Sequence, residues 1–142
     1  MQASDKRGGG FAGRLAAARR LATKLDEPSV RVEKLATQWA ADLVKIDPAI
    51  LTMLRLAEED PEERESEEVK EFFEGLRRIV HASRGAGAGA AQLVKNLETV
   101  AQMSRELRKP VRRVQDALRK LLDGIAVMEE WERQIDRVEG AG

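Results

Sequence analysis

The chain has no cysteine, and that absence removes disulfides, thiolate metal sites and cysteine nucleophiles together. Its one histidine, His81, has no Glu-x-x-His spacing around it, so neither a metal centre nor an oriented general base is expected there. No apolar run approaches the roughly 20 residues that cross a bilayer as a helix. Residues 1–10 are polar and glycine-rich, without the apolar stretch of a signal peptide; a cytoplasmic protein is expected. Charge of one sign is also lacking. Twenty-five Lys and Arg balance twenty-five Asp and Glu, so no global field draws the molecule to nucleic acid or to a membrane. Aromatic residues make up only 4% of a chain that is 42% hydrophobic. The core must therefore be built from Leu, Val, Ile and Ala, a mixture suited to interdigitating helices.

What is present is periodicity. Every seventh residue from Leu93 gives Leu93, Val100, Leu107, Val114, Leu121, Met128 and Ile135, apolar at each step. The companion column, Ala90, Leu97, Ser104, Val111, Leu118, Ile125 and Glu132, is apolar at five of seven positions. Two such columns offset by four and three are the seam of a coiled coil, a surface that requires another helix. Nothing alternates with period two for long enough to be a strand, and the chain is predicted to be all-α.

The N-terminal half divides into shorter helical patterns. A disordered lead-in is expected at 1–10, then helices near 11–25, 29–46, 48–58 and 61–84 forming a bundle over 11–84. The punctuation is a turn at Asp26-Glu27-Pro28, Asp47-Pro48, and the start signal Asp60-Pro61-Glu62-Glu63, where Asp60 can cap and Pro61 has no N–H to leave unpaired. Apolar residues on nearly every face of 48–58 predict the most buried piece of the bundle. Gly85-Ala-Gly-Ala-Gly-Ala90 is read as a hinge, or as small residues packed closely between helices. Its resemblance to a phosphate loop fails, because no strand precedes it and no Lys-Ser/Thr follows.

Beyond it the seam runs over 91–138, and 139–142 should fray. Pro110 interrupts this segment. A proline inside a helix costs about 3 kcal/mol, yet the seven-residue register passes through it unbroken. A single kinked helix is therefore favoured, its seam buried by a second copy or a partner helix. A break would instead let the two pieces fold back into a monomeric bundle.

Two charged segments stand out. Between Arg105 and Lys120 seven basic residues face two acidic ones; Arg105, Arg112 and Arg119 share a column, with Arg113 and Lys120 beside it. Between Glu58 and Glu74 ten acidic residues face two basic ones. Both can be solvated faces, or they can meet within or between chains and set helix order.

These patterns point to a non-enzymatic helical interaction protein, without cofactor, metal or small-molecule substrate. It associates with itself or with a partner helix through Leu97, Leu107, Val111, Val114, Leu118, Leu121, Ile125 and Met128. The alternative is a nucleic-acid accessory protein holding phosphates with Arg105, Arg112, Arg113, Arg119 and Lys120. A further alternative is membrane-surface binding by the basic helix from Phe11 to Leu25.

Overall fold

The computed structural model of the chain describes residues 2–140, with side chains described from residue 10 onward. It contains four helices and, among the described residues, no strand: α1 (Gln2–Glu59), α2 (Pro61–Arg64), α3 (Glu67–Met103) and α4 (Arg108–Gly140). The all-α expectation holds, but the helices are fewer and longer than the punctuation suggested.

α1 passes through Pro28 and Pro48 without a break. Each proline forfeits one backbone hydrogen bond, and tertiary packing outweighs the loss. Ser29, Ala36, Ile50, Leu54 and Ala57 are all buried, and fully covering a single Ile or Leu contributes about 1.5–3 kcal/mol. At Pro28 the Ser29 hydroxyl also donates to the Asp26 carbonyl at 2.7 Å. The segment 48–58 is not the most buried piece. Ile50, Leu54 and Ala57 are covered while Leu51, Met53 and Leu56 remain exposed, because only one face of α1 meets the rest of the molecule.

Asp60 does cap as expected, accepting from the backbone N–H of Glu62 at 3.0 Å. The helix it starts lasts one turn. Ser66 then caps α3, its Oγ accepting from Val69 N–H at 3.2 Å. Gly85 to Ala90 form no hinge, since α3 runs straight through them. The glycines serve a close approach instead: a Cβ on buried Gly87 would lie 3.1 Å from Ile125 Cδ1.

The break falls at Ser104–Leu107, and the single kinked helix is ruled out. Pro110 is the third residue of α4, where its missing N–H is one of those left unpaired at any helix start. Arg108 seals the corner, donating from Nε to the Ala101 carbonyl at 3.1 Å.

α4 lies between the other two long helices, which pack on it rather than on each other. Against α1 it runs parallel: Arg113 meets Asp26, Lys120 meets Thr37, Trp131 meets Asp47 and Arg137 meets Glu58. Against α3 it runs antiparallel, with Arg112 on Glu98, Arg84 on Glu132 and Arg77 on Asp136. All three contribute to one core that includes Leu54, Phe73, Val80, Met128, Trp131 and Ile135. Residues 11–84 and 91–138 therefore share a core instead of forming a bundle and an arm. The expected lead-in at 1–10 and the fraying at 139–142 fall mostly outside the described side chains; α1 is helical from Gln2 and α4 extends to Gly140.

Candidate functional site: an open apolar trough

The fold-back uses the seam against itself, but only in part. Val111, Ile125 and Met128 are buried, while Leu97, Leu107, Val114, Leu118 and Leu121 are only half-buried. The difference follows from the hairpin at 60–66. Near it, side chains of α1 and α3 together cover α4. Toward the other end Pro110, Val111, Gln115 and Ala117 of α4 are still buried. Val114, Leu118 and Leu121 are only half-covered, and a trough opens along them.

A cleft of about 210 Å³ marks its centre. Leu25, Pro28 and Val32 of α1 form one wall, Leu97 of α3 the other, and Pro110, Val111 and Val114 the floor. The rims extend the apolar surface. On α1 Leu21, Val32 and Leu35 are exposed, Leu35 by 70%. On α3 Leu93 and Val100 are exposed as well. Scattered exposed apolar residues are ordinary, whereas a continuous row of them marks an interaction surface. Here the row has helical spacing: exposed Leu25, Val32, Ile46 and Met53 share one seven-residue column along α1, whose remaining member, Trp39, is half-buried against α4. That column was legible in the sequence, but reading Pro28 and Pro48 as helix ends hid it.

The structure separates the basic stripe. Arg112 turns to α3, where it pairs with Glu98 and donates to the Gln115 side-chain oxygen at 2.9 Å. Arg113 turns to α1 and pairs with Asp26 at 2.5 Å. Lys120 donates to Thr37 at 2.8 Å, and Arg119 pairs within its own helix with Asp116 at 3.4 Å. Arg105 has no carboxylate within 4 Å among the described residues. The five cations thus point to different neighbours and make no common face for a phosphate backbone.

Gln115 is fully buried and central to this polar cluster. Its amide donates to the Val94 carbonyl and to Glu98, each at 3.1 Å. The hydrogen bond from Arg112, with that from Gln115 beside it, holds the Glu98 carboxyl down at about 2. This cluster clamps α3 to α4 beneath the trough. It has the form of a structural network, with every polar partner satisfied.

Chemistry is otherwise sparse. Among the described residues no group of three or more His, Asp or Glu side chains is placed to hold a metal ion. His81 is exposed on α3. No described helix is long and apolar enough to cross a membrane. A second apolar cleft of about 380 Å³ lies where α1 meets α4 around Leu43, Val44, Gly124 and Val127, with no α3 residue in its lining.

Trp39 and Trp131 fasten α1 to α4. Trp131 is buried and donates from Nε1 to Asp47 at 2.6 Å. The ring of Trp39 lies directly over Gly124, where a Cβ would be 2.2 Å from its Cη2. No family model, curated protein or solved structure matches this chain.

Proposed function

We propose that this chain is a non-enzymatic helical association protein whose working surface is the trough between α1 and α3, filled by an apolar helix of another chain. The observation that carries this reading is the row of exposed apolar side chains at seven-residue spacing beside a half-covered seam. A helix laid there would cover Val32 and Leu35 on one wall, Leu93 and Leu97 on the other and Val114 below, the packing of one more helix in a bundle. The surface has moved from where the seam alone placed it: α4 supplies the floor, and α1 supplies most of the exposed anchors. The dispersal of Arg112, Arg113 and Lys120 onto different helices gives the phosphate-binding alternative no comparable support.

Sedimentation equilibrium on the intact chain tests the reading. The expected mass exceeds the 15.8 kDa of one chain at micromolar concentration and persists in high salt. Leu97→Glu should return it to one chain without loss of helical circular dichroism, whereas Ala126→Glu, on the exposed face of α4, should leave it unchanged. An unaltered mass for Leu97→Glu, or a single-chain mass for the wild type at hundreds of micromolar, refutes the assignment.

A further inference from the structure

The trough, read as a helix-binding surface, raises the question of which helix fills it. We infer that the occupant is α1 of a second copy of this chain, laid antiparallel, so that the basic end of each protomer's α1 runs toward the acidic hairpin of the other and brings Arg14 beside it. The inference rests on the functional reading above and adds the identity and direction of the partner.

The first observation is charge. Between Gly10 and Lys24 the chain carries Arg14, Arg19, Arg20 and Lys24 and no acid. Between Glu58 and Glu74 acids exceed bases by ten to two. Both regions belong to or adjoin α1, at opposite ends of one continuous helix. From Lys24 to Glu58 the separation is about 50 Å at 1.5 Å per residue, several times the ~8–10 Å over which salt screens exposed charges. Among the described residues no ion pair joins them, and none joins Arg105–Lys120 to Glu58–Glu74, so the two charged segments singled out in the sequence do not pair within one chain. Arg14, Arg20 and Lys24 have no carboxylate within 4 Å among the described residues. A parallel partner would bring the basic ends together and the acidic ends together; an antiparallel one turns the basic end of each α1 toward the acidic end of the other.

The second observation is the basic end itself. Arg19 reaches Glu106 in the corner between α3 and α4, and the helix upstream of it has passed the end of the bundle. Phe11 is 76% exposed there, an aromatic side chain that the described residues leave largely uncovered. At the other end of α1 a cleft of about 390 Å³ is lined by Met53, Leu56, Ala57 and Val69, with the carboxylates of Asp60 and Glu63 at its edge. An apolar ring carried with Arg14 on one helix face fits that lining in both respects.

The third is the symmetry of the exposed row. Reversing α1 about a point between Val32 and Leu35 sets Phe11 opposite Leu56, Ala18 opposite Ala49, Leu21 opposite Ile46 and Val32 opposite Leu35. Large residues meet large and small meet small, as an isologous two-fold contact requires. Three positions break the match: Arg14 opposite Met53, Leu25 opposite Asp42, and Pro28 opposite Trp39, whose ring is turned onto α4. Finally, the chain exposes 9773 Å², where a compact monomer of its mass exposes roughly 7,300 Å². The excess is about three times the ~800 Å² that each partner contributes to a standard interface.

The cysteine-free chain makes the test direct. Full-length Ala18→Cys and Ala49→Cys variants, substituted at small positions, are mixed at low micromolar concentration and oxidised. The expected product is the mixed 18–49 disulfide in at least tenfold excess over either symmetric one. Reversal of Arg14, Arg20 and Lys24 to Glu should weaken the wild-type dimer at least tenfold at low salt and less at high salt. A predominant 18–18 disulfide would show parallel pairing and overturn the inference. So would a dimer abolished by Leu97→Glu that forms no 18–49 link, or one indifferent to the charge reversal; in each of these cases the trough reading stands. A single-chain mass at every concentration removes both.

Discussion

Four glycines on the long helices give a series in which the structure predicts opposite signs for the same substitution. In an exposed helix interior, Gly→Ala stabilises by about 1 kcal/mol, because alanine surrenders less backbone entropy. Gly85 and Gly89 have nothing within 4 Å of an added Cβ, so each should show that gain. At Gly87 the nearest atom is the Cδ1 of Ile125, 3.1 Å away at the end of a flexible side chain; the gain and the crowding should nearly cancel. At Gly124 the new Cβ would lie 2.2 Å from two atoms of the Trp39 ring and 2.9 Å from Leu43 Cδ2. Ordinary contact needs well over 1 Å more, and a planar ring has no free end to fold aside. Either α1 retreats from α4 or Trp39 leaves its place. Overpacking of this kind costs about 1–3 kcal/mol, and expelling a half-buried indole adds to it. After the helix-propensity gain, a net loss of about 2 kcal/mol is expected. Urea unfolding followed by circular dichroism should place the Gly124→Ala midpoint about 1 M below wild type with an unchanged slope, and Gly89→Ala above it. If Gly124→Ala matched Gly89→Ala, the close approach of α1 and α4 at Trp39 would be wrong.

Two further predictions concern the clamp between α3 and α4. Gln115→Ala leaves the Val94 carbonyl without its side-chain donor in a fully buried site and should cost about 1–3 kcal/mol in urea unfolding; a neutral result would mean that water supplies the missing partner. Glu98 sets a pH dependence whose sign is fixed. Its carboxyl is lowered from 4.5 to about 2, chiefly by the hydrogen bond from Arg112, so the folded state favours the ionised form. The stability it contributes is complete above about pH 4.5 and is lost as pH falls toward 2. The gap in urea midpoint between wild type and Glu98→Gln should hold steady from pH 7 to 5 and narrow below 4.5. A gap that widened on acidification would refute the pairing.

The helical class was legible because the apolar spacing is helical wherever apolar residues are dense. So was much of the core. Phe73, Leu76 and Val80 recur at helical spacing in 61–84 and are buried, while Ile79 beside them is exposed. Helix ends were not legible. Pro28 and Pro48 look like boundaries, but a proline's cost of about 3 kcal/mol is a local term that a long buried face can exceed. Sequence offers no measure of that face until its partner is known. Ser66 went unread as a cap because the stronger signal at Asp60 lies only six residues before it. Gly124 sat unremarked inside a helix, since its meaning depends on Trp39, 85 positions away.

The unbroken register across Pro110 misled for a reason that also locates the exposed surface. A seven-residue column records which face of a helix is apolar; it does not record whether the helix is continuous. When two helices fold into an antiparallel hairpin, each must turn its apolar face to the other, and a short corner can preserve the count of seven while reversing the chain. Here the count passes the corner but the contact shifts. Phe73, Val80, Gly87 and Ala101 of α3 turn inward, with Val94 over Gln115 and Gly87 over Ile125, one position off the column of Leu93 and Val100, which stay exposed. On α4 the strongest apolar pattern is partly used up within the chain, with Val111, Ile125, Met128 and Ile135 buried. The weaker one along α1, interrupted by prolines and an aspartate, keeps its outward side chains uncovered. The larger uncovered apolar surface therefore lies on the helix whose pattern is imperfect.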